Sequence, residues 1–133
     1  MIFVDSGAFI ARYVSADQHH SESLRGWSLV SSGHIPCYTS DLVLSESLTL
    51  LSRMTGNAFA AETGRLLYTS TSLRVLRPET VEDLLAVGLF AKYSDQNISF
   101  CDCVSFVLMK KLGIRCVFGF DRHFTMAGFD LWT

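Results

Sequence analysis

A chain of 133 residues, 49% of them hydrophobic, can bury one core but is short for two, so a single domain over residues 1–133 is expected. The apolar stretch Cys103 to Met109, bounded by Asp102 and Lys110, falls far short of the roughly 20 residues that a membrane-spanning helix needs. The formal charge of −2, from 11 basic and 13 acidic side chains, offers no general attraction for nucleic acid, which depends on surplus Lys and Arg.

In chain order, Met1-Ile2-Phe3-Val4-Asp5 has neither the basic region nor the cleavage site of a secretory signal, so a cytoplasmic protein is expected. Ile2 to Val4 reads as a central strand, apolar on both faces. Two helices follow, about Gly7 to Val14 and Asp17 to Leu29, and then a strand from Ile35 to Thr39. Ser40 or Asp41 caps a helix reaching about Met54, and Gly56 breaks the chain before a helix over Ala58 to Thr69. Leu73 to Leu76 forms a short strand, and Pro78 occupies the first turn of a helix extending to about Lys92. Ser99 opens a helix from Phe100 to Leu112, ended by Gly113, with a strand over Ile114 to Phe118 beyond it. A loop through Asp121 leads to a last strand near Phe129 to Leu131. Short apolar runs alternating with longer amphipathic stretches predict an α/β fold, a parallel sheet covered by helices on both faces. Cys37, Cys101, Cys103 and Cys116 match neither a zinc ribbon nor a CxxC pair and read as reduced core side chains.

Four carboxylates are tied to these apolar elements. Asp5 follows the first strand and Asp121 follows the Ile114 to Phe118 strand; open α/β sheets bind ligands at the carboxyl ends of their strands. Glu46 shares a helix face with Leu42 and Leu50, and Asp102 stands in the first turn of a helix that is nearly all apolar. Each has a purely structural alternative. Asp5 is placed to cap the next helix, and Asp121 to form a turn before Arg122 and His123. Ser99 to Asp102 has capping-box spacing, and Glu46 has Arg53 within reach. If the four converge, like charges about 4 Å apart repel by roughly 4 kcal/mol at an effective dielectric near 20, so cations or protons must join them. An all-oxygen set without His or Cys suits Mg²⁺ or Mn²⁺, and such centres activate water for in-line displacement at a phosphodiester. With divalent ions cancelling these four, 9 of the 13 acidic groups face the 11 basic ones, a balance that permits RNA binding.

Val4-Asp5-Ser6-Gly7-Ala8, Val43-Leu44-Ser45-Glu46, Ser99-Phe100-Cys101-Asp102 and Phe120-Asp121-Arg122-His123-Phe124, followed by Gly128-Phe129, together resemble the PIN domain, and within it the VapC toxins of toxin-antitoxin pairs. The ordered match runs from Met1 to about Leu131. The resemblance implies a three-layer α/β/α fold and Mg²⁺- or Mn²⁺-dependent RNA cleavage. It assigns the metals and the attacking water to Asp5, Glu46, Asp102 and Asp121, and gives Ser6 a part in ordering the site. It also implies a homodimer inhibited by a cognate antitoxin protein.

Some residues stand apart from this set. Asp95 is a candidate outer carboxylate or a loop-turn residue, and Arg122 and His123 are candidate RNA contacts, with His123 equally able to anchor its loop. His19 and His20 read as solvated surface, and Phe9, Phe59, Tyr68 and Phe90 as core or subunit interface. The helices around Asp17 to Leu29 and Ala58 to Thr69 are the expected partner surfaces. A toxin endoribonuclease is the leading function; a PIN nuclease of RNA maturation and a catalytically silent RNA- or protein-binding PIN domain are the alternatives.

Overall fold

A computed structural model of the chain describes residues 1–132. In order, its elements are β1 (Ile2–Val4), α1 (Ser6–Tyr13), α2 (His20–Gly33), β2 (Cys37–Ser40), α3 (Asp41–Thr55), α4 (Asn57–Thr69), β3 (Leu73–Leu76), α5 (Thr80–Lys92), α6 (Phe100–Leu112), β4 (Cys116–Phe118), α7 (His123–Met126) and β5 (Asp130–Leu131). The strands form one parallel sheet in the order β3-β2-β1-β4-β5, flanked by the helices in the expected three layers.

β1 lies at the centre because Ile2, Phe3 and Val4 are all buried and tolerate neighbours on both edges. Chain order reverses there: β2 and β3 extend to one side, β4 and β5 to the other. Phe3, Val4, Leu44, Val104, Met109 and Phe124 fill the main core. Gly26 of α2 lets that helix close on the sheet, since a Cβ at this position would stand 2.4 Å from the Phe118 ring.

Several boundaries differ from expectation for local reasons. The second helix begins at His20, not Asp17, because Asp17 Oδ1 accepts the His19 N–H (2.8 Å) in a preceding turn. It continues to Gly33 and ends on His34, which takes the left-handed conformation (φ 48°). Pro78 precedes the α5 helix and does not join its first turn; Glu79 is the cap, and Glu79 and Glu82 form a reciprocal capping box. The strand expected from Ile114 begins at Cys116, and the last strand begins at Asp130. The loop through Asp121 contains the short helix α7, anchored in the core by Phe124.

His19 and His20 are not free surface. The His19 ring stacks on Phe120 at 4.2 Å, nearly parallel, and His20 Nδ1 lies 2.6 Å from the Ala11 carbonyl. The pair ties the start of α2 to α1 and to the residue preceding Asp121. Of the four aromatics, Phe9 is core, while Phe59, Tyr68 and Phe90 are exposed.

Candidate metal centre

The carboxyl ends of β1 and β4 lie side by side where the strand order reverses, and a cavity of about 360 Å³ opens there. Asp5, Ser6, Glu46, Asn97, Ile98, Ser99, Asp102, Asp121 and His123 line it. All four expected carboxylates therefore share one pocket, delivered by four different segments. Among the described residues no Lys or Arg lines it.

Asp5 extends the β1–β4 ladder by donating its backbone N–H to the Phe118 carbonyl (2.9 Å), which sets the side chain at the switch point. It occupies the cap position of α1 yet makes no side-chain cap hydrogen bond, so its carboxylate is not spent on the helix. The adjoining Gly119 permits this placement, since a Cβ there would stand 3.0 Å from the Asp5 Cβ. Burial pushes the Asp5 carboxyl up from its ordinary 3.8 to about 7, with the charge of Asp102 adding to it and the Ser6 backbone N–H partly offsetting it.

Asp102 forms the expected capping box and still lines the pocket. Ser99 Oγ accepts the Asp102 N–H (3.1 Å), Asp102 Oδ2 accepts the Ser99 N–H (3.2 Å), and the same carboxylate faces the pocket. Burial holds its carboxyl above the usual range, against the pull of the Ser99 N–H. Asp121 likewise forms the expected turn, its Oδ1 accepting the His123 N–H at 2.9 Å, while lining the cavity. Glu46 reaches the pocket from α3, whose start is fixed by Ser40 Oγ accepting the Val43 N–H (3.1 Å). No ion pair joins Glu46 to Arg53 among the described residues.

The remaining expected residues separate clearly. Ser6 lines the pocket; Asp95 is exposed and is not among the lining residues, and Arg122 is exposed outside it. His123 lies inside, its Nδ1 3.0 Å from Asp121 Oδ1 and 3.7 Å from Asp102 Oδ2. Asn97 and Ile98 were not singled out from the sequence; only their position ahead of the Ser99 cap pointed to them. Burial, with the nearby Glu46 and Asp5 charges, pushes the Cys101 thiol far up. All four cysteines are free thiols, with Cys37 and Cys103 buried.

The donor set suits a hard divalent cation. Two buried carboxylates, Asp5 and Asp102, raised first by burial and then by neighbouring acids, gain most from a cation, and no side-chain ammonium or guanidinium of the pocket supplies one. Asp102, Asp121 and His123 each present one ligand atom within 4.8 Å of the others.

The PIN domain family model matches residues 2–130, and the chain belongs to the PIN domain family. Within it, the chain is 35% identical over 131 residues to proteins named 23S rRNA-specific endonuclease VapC20 from two strains of Mycobacterium tuberculosis, CDC 1551 / Oshkosh and ATCC 25618 / H37Rv; the alignment covers 97% of this chain and 95% of theirs. The crystal structure of Mycobacterium tuberculosis VapC20, described as a Sarcin-Ricin loop cleaving toxin, superposes with a TM-score of 0.86 at 31% identity, covering 97% of this chain and 96% of that one. The chain is thus a homologue of a VapC-type toxin endonuclease.

Proposed function

We propose that the chain is a metal-dependent endoribonuclease, the toxin of a VapBC-type pair, hydrolysing RNA phosphodiesters at the pocket lined by Asp5, Glu46, Asp102 and Asp121. The convergence of these four carboxylates at the β1/β4 switch point carries the reading. When bound, Mg²⁺ or Mn²⁺ supplies activation of water and charge stabilisation at the leaving oxygen. Asp5 and Asp102, the two buried carboxylates, would hold the ion, Asp121 and Glu46 would complete the set, and Ser6, which lines the pocket next to Asp5, would help order it. The surface residue Arg122 is proposed as a phosphate contact outside the pocket, and Asp95 is left to its loop.

The names of the relatives support a structured ribosomal RNA as the first substrate to test. A cognate antitoxin protein and a cytoplasmic location belong to the same proposal, on the strength of the VapC likeness; no helix among the described residues is long and apolar enough to cross a membrane. A homodimer is also proposed. Besides Leu24 and Leu29 on α2 and Phe59, Leu66 and Tyr68 on α4, the α5 residues Val81, Leu84, Leu85, Val87 and Phe90 are exposed, which adds α5 to the candidate partner surfaces.

The test is to incubate total RNA and purified 23S rRNA with the parent and with Asp5→Asn, with Mn²⁺ or EDTA, and to map new ends. Cleavage by the parent alone, suppressed by EDTA, is expected. Equal cutting by Asp5→Asn would remove the site assignment. An absence of divalent-ion binding in millimolar Mn²⁺ would instead favour a silent binding domain.

A further inference from the structure

His123 Nδ1 is shut off from solvent at the pocket and makes no hydrogen bond. Asp121 Oδ1 at 3.0 Å and Asp102 Oδ2 at 3.7 Å are both close, yet neither meets the ring nitrogen with hydrogen-bond geometry. A buried imidazole nitrogen left in this way calls for another partner. Adjacent ligands on an octahedral ion at about 2.1 Å stand about 3.0 Å apart and opposite ones about 4.2 Å. The three donor atoms here, all within 4.8 Å of one another, occupy a span that one cation can bridge after small adjustments.

Resting on the metal-dependent reading above, we infer that His123 Nδ1 is a direct ligand of the divalent ion, beside Asp102 and Asp121, making this a mixed nitrogen and oxygen position that favours Mn²⁺ over Mg²⁺. Mg²⁺ keeps to oxygen donors and its own water, whereas a transition-metal ion accepts imidazole nitrogen. The backbone supports the arrangement: His123 opens α7, its N–H is held by Asp121 Oδ1, and Phe120 is clamped by the His19 ring. The ligating tautomer carries its proton on Nε2. This assignment adds a nitrogen donor to the oxygen set expected from the sequence and moves His123 from RNA contact to metal ligand.

The experiment is pulsed electron paramagnetic resonance on the full chain loaded with Mn²⁺, with ¹⁵N-histidine labelling to identify the nitrogen, alongside calorimetric titration of Mn²⁺ and Mg²⁺. The parent is expected to show coupling from one imidazole nitrogen, which shifts on labelling, disappears in His123→Gln and persists in His19→Gln. His123→Gln is expected to weaken Mn²⁺ binding by at least the roughly 10-fold that even an outer partner of a metal ligand contributes, with a much smaller change for Mg²⁺. Circular dichroism checks that the variant folds; should it not, the labelled parent alone still reports whether nitrogen is bound. Mn²⁺ binding without nitrogen coupling, or with coupling retained in His123→Gln, overturns the inference and leaves the metal-nuclease reading intact. Failure of the parent to bind Mn²⁺ at all removes both.

Discussion

Two helices of this protein begin with the same device and end in opposite electrostatic settings. In α5, Glu82 returns to the Glu79 N–H (3.3 Å), and in α6, Asp102 returns to the Ser99 N–H (3.2 Å); both carboxylates are buried. Glu82 Oε1 also accepts a hydrogen bond from Lys111 Nζ at 3.1 Å, which holds its carboxyl below the usual range. Asp102 instead shares its pocket with Asp5, Glu46 and Asp121 and is held above it, first by burial. A capping box is thus a local solution to unpaired N–H groups and says nothing about the charge its acid will carry. That is decided by what other elements bring: α6 contributes a lysine to one box, and β1, α3 and the loop after β4 contribute acids to the other. A buried acid with a cationic partner is electrostatically satisfied, while one surrounded by acids would gain from a cation.

The sharpest way to test the contrast is Asp102→Asn, which keeps an oxygen to accept the Ser99 N–H but removes the charge. We expect divalent-ion-dependent RNA cleavage to fall by more than about 100-fold, with the helix content by circular dichroism unchanged. A variant that still cleaves would reduce Asp102 to the same structural role as Glu82.

The second test uses pH on the metal-free protein. Asp5 carries a folded pKa of about 7 against an ordinary 3.8, so the folded state binds more protons between these values and stability falls as pH rises. The contribution is fully present below about pH 4 and lost once pH passes about 7, a change on the order of 4 kcal/mol at 1.36 kcal/mol per unit. Glu82 has the opposite sign: its lowered carboxyl stabilises the fold above its ordinary range, and this is lost on acidification through the lowered value. Urea unfolding in EDTA from pH 4 to pH 8 should show the Asp5 slope, and Asp5→Asn should flatten it. A parent without that slope would contradict the buried, cation-hungry state of the pocket.

The smallest expected effect comes from the other box. Lys111→Met leaves Glu82 without its cation, so the melting temperature should drop by a few degrees, while Mn²⁺ binding and cleavage stay at parental levels. A loss of cleavage in this variant would mean that the two regions are coupled and the comparison is too simple.

Most secondary elements and the residues at the site were legible because they follow local rules: an apolar run before Asp5, a Ser99-to-Asp102 cap, glycines at helix ends. The structural and chemical readings of Asp102 and Asp121 looked like competitors in one dimension, yet they are compatible, because a carboxylate has enough acceptor positions to bond a backbone N–H and still face a cavity. His19 and His123 could not be placed from their neighbours in sequence. One depends on a stack against Phe120, a hundred residues away, and the other on the separation between α6 and the loop after β4.

By itself, then, the sequence determined the alternation of strands and helices and which acids close apolar elements, since these depend on periodicity and capping within a few residues. The tertiary structure alone decided that those acids meet with no Lys or Arg among them, that His123 lines the same pocket and Asp95 does not. Charge and coordination act through space over a few ångströms, and only the parallel pairing of β1 with β4, with α3 and α6 packed beside their carboxyl ends, brings those groups that close.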